Sequence, residues 1–415
     1  MTKQRSKQTK AFIALCAIVY FVSYITRNSY SSAISEITEA LGTTKDATGL
    51  VGTAAFLTYG IGQIICGVLG DYIAPRFLIL AGVGATSLCN LLMPFMGGNI
   101  TAMVALWAVN GFAQAMFWPP LVRLMAEHLS GSDYNDAVVA VTVASSVGNI
   151  FVYLLSPLCI AISGWNLIFY ITGAAGFAMV FFWYIGTRTL PEPGAGDRAA
   201  VAKKTDTGAA VPPTTEKLPL KTLITSSGLL VILFCIILQG MLRDGLTTWM
   251  PSLVADTFAL SNAVSILTGI ALPLFAIVSI KAAAIVQDKL QNELLCAGIF
   301  FGIGFGCTLL MLPLFSHSVV VTVILMALIT ACMHGVNLML ITRAPIHFAR
   351  YGKISTMSGL LNAFTYIGSA ASTYGFAWLS DRYGWYFTIG SWAVTACVGM
   401  LLCLALVKKW KNFTK

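Results

Sequence analysis

Charge is scarce in this chain. Only 10% of its 415 residues are Asp, Glu, Lys or Arg, against about a quarter in an ordinary soluble domain, so it cannot cover itself with polar surface in water. With 57% hydrophobic residues it reads as an integral membrane protein, and soluble enzymes and secreted disulfide scaffolds are excluded. Histidine is equally sparse, four in all, and no Cys or His pair stands at zinc spacing, so neither metal nor cofactor is expected. The ten cysteines all fall inside apolar runs, where cysteine behaves as a small hydrophobe. No nucleophile with a base and no nucleotide loop is present, which leaves an enzyme as the weakest reading. Acidic residues are outnumbered 16 to 25, giving a net charge of +9. No soluble basic face with aromatic platforms exists to turn that surplus toward nucleic acid.

Long apolar runs fill the chain instead. A bilayer core about 30 Å thick takes roughly 20 helical residues. Twelve such runs stand at 11–34, 48–70, 76–97, 100–122, 137–163, 165–186, 228–252, 261–286, 293–312, 317–341, 355–380 and 385–407. The first is too long, and too poor in a small-residue cleavage site, for a removed signal, and is read as a permanent helix. Basic residues are retained on the cytoplasmic side of a membrane. With the amino terminus inside, 20 of the 25 lie in cytoplasmic segments and only Lys45 and Arg382 in outer loops. The expectation is a multi-pass protein of the bacterial inner, cytoplasmic membrane, an organelle remaining open, with both termini cytoplasmic.

Residues 187–221 are rich in proline, glycine, threonine and charge, a composition that cannot bury enough apolar area to fold. They divide the chain into 1–186, a six-helix bundle; 187–221, a cytoplasmic linker; and 222–415, a second six-helix bundle. The halves match at a nearly constant offset: Arg27 with Arg243, Gly148 with Gly368, and Gly164-Trp165 with Gly384-Trp385. The fold class expected is an all-α membrane protein with twelve transmembrane helices in two pseudo-symmetric bundles. Such parallel repeats resemble the major facilitator type of secondary transporter, whose site lies at the repeat interface near the bilayer midplane. The stretch Gly67-Val68-Leu69-Gly70-Asp71 with Arg76 downstream resembles the signature of that superfamily between its second and third helices. Its glycines allow close helix approach, and Asp71 suits a helix cap or a cationic partner.

A charged side chain inside the membrane costs several kcal/mol and is a functional-site candidate by default. Arg27 and Arg243 stand at matching depths in runs one and seven, so the pseudo-two-fold places them on opposite walls of one cavity. Two guanidinium forks facing each other, with little other charge, suit a doubly charged tetrahedral oxyanion such as phosphate. The alternative is pairing with a buried acid, which is open for Arg243 because Asp244 is adjacent. Asp244 is also the candidate coupling site for a proton. His334 either donates to substrate or packs, and Lys281, near the end of run eight, is read as snorkelling to the interface.

Around the first arginine the chain reads Tyr20-Phe21-Val22-Ser23-Tyr24-Ile25-Thr26-Arg27-Asn28. Run four contains Asn110-Gly111-Phe112-Ala113-Gln114, then Trp118-Pro119-Pro120 and Arg123. Together with Leu242-Arg243-Asp244-Gly245 and Trp249-Met250-Pro251, these resemble the organophosphate:phosphate antiporter family, which includes glycerol-3-phosphate and hexose-phosphate transporters. The resemblance spans nearly the whole chain. It implies that Arg27 and Arg243 bind phosphate and that Tyr20, Tyr24, Tyr59 and Tyr366 line the cavity, with anchoring or packing open for Tyr20. It also exposes departures. A lysine expected after Tyr59-Gly60-Ile61-Gly62 is Gln63, a histidine expected in run five is Ser145, and Asp244 is an added acid.

The leading expectation is a secondary transporter of a small anionic, phosphorylated metabolite, working as a monomer in the lipid bilayer. Coupling is by phosphate exchange or by proton symport. A sugar-phosphate sensor and an exporter of a less charged amphipathic compound are the rivals.

Overall fold

The structure, a computed structural model, describes residues 7–129, 132–188, 227–351 and 354–414. The expected linker therefore lies almost wholly outside the described residues, as do the side chains of Gly67, Gly70 and Asp71, although the backbone at those three is helical.

The described chain is helical throughout, and no strand occurs in it. In order the helices are α1 (Lys7–Ala40), α2 (Lys45–Tyr72), α3 (Pro75–Leu92), α4 (Ile100–Gln114), α5 (Trp118–His128), α6 (Ser132–Ser163) and α7 (Asn166–Thr187). After the linker come α8 (Leu229–Phe258), α9 (Asn262–Thr268), α10 (Ala271–Leu290), α11 (Glu293–Leu314), α12 (Val319–Asn337) and α13 (Ile354–Thr414). Eleven stretches among the described residues are long and apolar enough to cross a bilayer. The last holds two crossings, because Gly384 adopts φ 79° inside α13 and breaks it. Phe376 and Trp392 have ring centroids 5.8 Å apart across that break. Sixteen residues of straight helix would separate them by about 24 Å, so the arms 354–383 and 385–414 fold back on one another. The described residues thus hold twelve stretches long and apolar enough to cross a bilayer.

Several helices depart from the apolar runs for local reasons. α1 runs six residues beyond its apolar segment because backbone bonding continues after the hydrophobic stretch ends. Run four breaks into α4 and α5, since neither Pro119 nor Pro120 has an N–H to bond back into the preceding turn. α12 ends in a π-helical turn, Leu338–Arg343, next to His334, a feature often found at functional sites.

Loops alternate between two membrane faces, named here the Lys45 face and the Arg76 face; both described termini lie at the latter. The sequence offset recurs in the backbone. Gly164 and Gly384, 220 residues apart, turn the chain at the Lys45 face with φ of 76° and 79°, left-handed conformations suited to glycine. Gly148 and Gly368 share the same spacing and mark close helix crossings. A Cβ on Gly148 would stand 3.0 Å from the Phe21 carbonyl oxygen, and one on Gly368 only 2.0 Å from that of Ile237. These are the small-residue contacts by which membrane helices pack without a hydrophobic driving force.

Contacts join the six crossings before the linker to the six after it along the Lys45 face and down to midspan. Lys45 Nζ lies 2.6 Å from Asp256 Oδ2 and 3.6 Å from Asp381 Oδ1. Asn262 Nδ2 donates to Glu36 and Glu39, and Ser35 and Ser252 hydroxyls meet at 2.7 Å. A polar cavity of about 300 Å³ sits among these groups. Deeper, Thr53 donates to the Ala370 carbonyl at 2.9 Å. At the Arg76 face, Glu293 accepts from Gln287, His347 and the Trp410 indole, tying α10, α11 and the end of α13 together.

Candidate functional site

The deepest cross-half contact is aromatic, and it surrounds a cation. Tyr59 on α2 and Tyr366 on the first arm of α13 meet edge to face, with ring centroids 4.4 Å apart. The Arg27 guanidinium from α1 sits 4.3 Å from the Tyr59 centroid, 5.6 Å from Tyr366 and 6.0 Å from Phe56. A guanidinium over ring faces is attracted by the ring quadrupole. Arg27 has no hydrogen bond or ion pair among the described residues, and it is partly exposed, so its five N–H donors remain available.

Its position is fixed from behind. A cluster of buried amides binds the turn of α1 that carries Arg27. Asn90 of α3 donates to the Thr26 carbonyl at 2.9 Å and accepts from Ser29 at 2.7 Å and Thr172 at 2.9 Å. Gln114 of α4 donates to the Ser23 carbonyl and to Thr26 Oγ1, both at 3.1 Å. Asn110 reaches the Thr26 carbonyl at 3.5 Å and leaves its own Oδ1 buried without a partner. A cavity of about 30 Å³ lies between Arg27, Tyr59, Asn110 and Gln114, room for a single water. In hydrocarbon such amides are costly unless paired with neighbouring helices, so they hold α1, α3 and α4 in one register.

The second arginine is differently placed. Arg243 donates from Nε to Asp244 Oδ1 and from Nη2 to Asp244 Oδ2, each at 2.7 Å. Ser369 on α13 donates to the same Asp244 Oδ2. Adjacent helical residues project about 100° apart, which suggests that the two side chains diverge. The long guanidinium arm instead folds around the helix and clamps its neighbour. Asp244 acts electrostatically on both arginines, and Arg27 acts on Arg243. His334 falls within electrostatic reach of Arg243 and Asp244, and no hydrogen bond to it occurs among the described residues. Gln239 of α8 donates to the carbonyl of Met333, one residue before His334.

Arg27, Tyr59, Tyr366, Arg243, Asp244 and His334 thus gather at one level. Tyr20 and Tyr24 on α1 have ring centroids 5.2 Å apart and tilted planes, and Tyr20 also packs on Trp118 at 5.4 Å. Gln63 lies one turn from Tyr59 on α2, buried, with Nε2 unpaired. Ser145 sits apart on α6, bonded to its own helix at Thr142. Lys281 is exposed on α10. Sequence reasoning did not single out Asn90 or Ser369; the available signal was a lone amide or hydroxyl in the middle of an apolar run. Among the described residues no group of His, Cys, Asp and Glu could hold a metal.

Comparison with known proteins gives the same architecture. The family model described as Major Facilitator Superfamily matches residues 16–373. The probable hexose phosphate transport protein of Chlamydia muridarum is 27% identical over 173 residues, 42% of this chain and 38% of that protein, so this likeness spans well under half of either. The membrane sensor protein UhpC of Salmonella typhimurium is 23% identical across 93% of this chain and 88% of its own. The glycerol-3-phosphate transporter of Bacillus subtilis is 25% identical across 89% and 85%. Among solved structures, the xylose transporter XylE from E. coli in a partially occluded inward open conformation superposes with a TM-score of 0.70, covering 97% of this chain and 98% of that one. At 12% identity that likeness speaks to the fold alone.

Proposed function

The chain belongs to the Major Facilitator Superfamily, a superfamily of membrane transporters rather than enzymes, and from that premise we propose that it carries a phosphorylated small metabolite by alternating access. The observation that carries this reading is Arg27: a midspan guanidinium without a carboxylate partner, seated where the two halves meet. A charge so placed is costly, and an incoming anion offsets that cost. Its planar fork matches two oxygens of a phosphoryl group.

In this reading the phosphoryl group lands on Arg27, with Arg243 approaching from the opposite wall and Tyr24, Tyr59, Tyr366 and His334 bonding or shaping the remainder. Gln63 extends the pocket toward the Arg76 face, and Ser145 lies on the approach rather than at the phosphoryl position. Ligand binding draws the two six-helix units, 1–186 and 222–415, together at the Arg76 face while the Lys45–Asp256–Asp381 contacts loosen. The protein acts as a monomer in a bacterial inner membrane, with the Arg76 face cytoplasmic. Coupling runs by phosphate exchange, or by protonation at Asp244 once substrate competes for Arg243.

Counterflow in proteoliposomes tests the function. Vesicles loaded with inorganic phosphate or unlabelled glycerol 3-phosphate should accumulate labelled glycerol 3-phosphate or hexose 6-phosphate. A sensor is the second reading, supported by the 23% identity with UhpC over 93% of this chain. A sensor binds the same esters without net flux under either gradient.

A further inference from the structure

The arrangement of charge narrows the class of ligand. At midspan, among the described residues, two cations and one anion lie within electrostatic reach of one another: Arg27 on α1, Arg243 on α8 and Asp244. Of the two cations, only Arg243 hydrogen-bonds the anion among the described residues. Asp244 takes both forks of Arg243 at 2.7 Å, and Ser369 adds a third donor to its Oδ2. Three donors hold this carboxylate in place, and Arg243 spends Nε and Nη2 on it. Only Arg27 offers an uncommitted guanidinium.

Resting on the transport reading above, we infer that the site is built for a phosphate bearing a single negative charge, with a phosphodiester as the matching ligand class, rather than for the dianion of a phosphate monoester. With His334 counted neutral, the bare site carries +1. A monoanion brings the loaded site to zero, whereas a dianion leaves −1 in a medium where an uncompensated charge costs several kcal/mol. The geometry points the same way. A diester presents two unesterified oxygens, the number that one planar fork grips, while Arg243, with its Nε–Nη2 edge turned to Asp244, has no free fork edge on that side for the third oxygen of a monoester. The ring faces of Tyr59, Phe56 and Tyr366 beside Arg27 are suited to an esterified, less hydrated substituent. Gln63, where a lysine is expected from the family resemblance, adds no further cation.

The test compares matched probes on the purified protein. Glycerol 3-phosphate and hexose 6-phosphate are each set against their phosphate methyl esters at about pH 8, where the monoester is a dianion because its second pKa is about 6. Binding is read by thermal shift and by competition in counterflow. For wild type, at least one methyl diester should bind at least about tenfold tighter than its monoester. In Asp244→Asn, which keeps the side-chain shape and frees Arg243, the order should reverse or close. Wild type favouring the monoester dianions, with Asp244→Asn leaving that order unchanged, overturns the inference while sparing the transport reading. Failure of all four probes to bind a folded wild-type protein overturns both. Should Asp244→Asn not fold, Ser369→Ala, which removes one donor from the carboxylate, should shift the preference toward the dianion in the same sense, and no shift would count against the inference.

Discussion

Arg243 spends two 2.7 Å hydrogen bonds on the carboxylate of the next residue in the chain, Asp244. Its pseudo-symmetric counterpart, Arg27, has aromatic rings in place of an acid. The two arginines stand at equivalent positions in the repeat yet hold different electrostatic states, one neutralised and one open.

Removing half of the paired charge should be worse than removing all of it. Asp244→Ala leaves Arg243 unpaired beside Arg27, a change that costs about 3 kcal/mol for a buried ion pair and somewhat less here because the pair is partly exposed. Arg243→Met combined with Asp244→Ala should recover part of that loss. Thermal unfolding of the detergent-solubilised variants reads the order, and a double variant less stable than Asp244→Ala would contradict it.

The ring of Tyr366, rather than its hydroxyl, is expected to hold Arg27. Tyr366→Phe should bind phosphate esters within about threefold of wild type. Tyr366→Ala should weaken binding by roughly 3- to 30-fold, the span of a partly desolvated cation–π contact. Equal losses in both variants, measured as apparent Kd, would move the role to the hydroxyl.

Lys45 should act as a latch. Its amine bridges Asp256 and Asp381 with 21% of its side chain exposed. Such exposed pairs are worth up to about 1 kcal/mol, so Lys45→Ala should shift the balance toward opening at the Lys45 face by up to about fivefold. A cysteine introduced at Ser252, which is buried here, reports the change through its rate of labelling by an impermeant maleimide. The ten native cysteines, nine of them buried, supply the background to subtract. An unchanged rate would remove Lys45 from the gate.

The two helix crossings predict unequal tolerance. Gly368→Ala pushes a methyl group to 2.0 Å from the Ile237 backbone oxygen, whereas Gly148→Ala meets the Phe21 oxygen at 3.0 Å. Overpacking costs typically 1–3 kcal/mol, and the first variant should fall at the upper end, the second at about 1 kcal/mol or less. Comparing their thermal unfolding temperatures decides it; Gly148→Ala proving the more damaging would contradict the packing described.

Much of this was legible in the sequence because the bilayer imposes it. Twelve apolar runs, basic residues gathered between them and an offset near 220 carry the topology, since span length and charge placement are set by solvent rather than by detail. Arg27 and Arg243 stood out for the same reason, as costly charges in apolar runs. The adjacency of Asp244 left pairing open for Arg243 alone; whether the pair forms was not legible. That depends on a guanidinium bending back onto its neighbour and on Ser369 arriving from a helix 125 residues away. Asn90 stayed hidden because its importance lies in the helices it joins, Thr26 on one side and Thr172 on another, and polar contacts between helices have no local signature. Ser145, which the family resemblance puts in place of a histidine, donates back to the Thr142 carbonyl, a local bond open to any helical hydroxyl three or four residues on.

The most direct test of the central claim is counterflow of labelled phosphate esters into proteoliposomes by wild type, Arg27→Lys and Arg27→Ala, with folding of each verified by its unfolding profile. Wild type should accumulate label. Arg27→Lys, a point charge without the fork, should retain a small fraction, and Arg27→Ala should fall at least about a hundredfold, to background. Anion transport at wild-type rates by a folded Arg27→Ala protein would contradict the account.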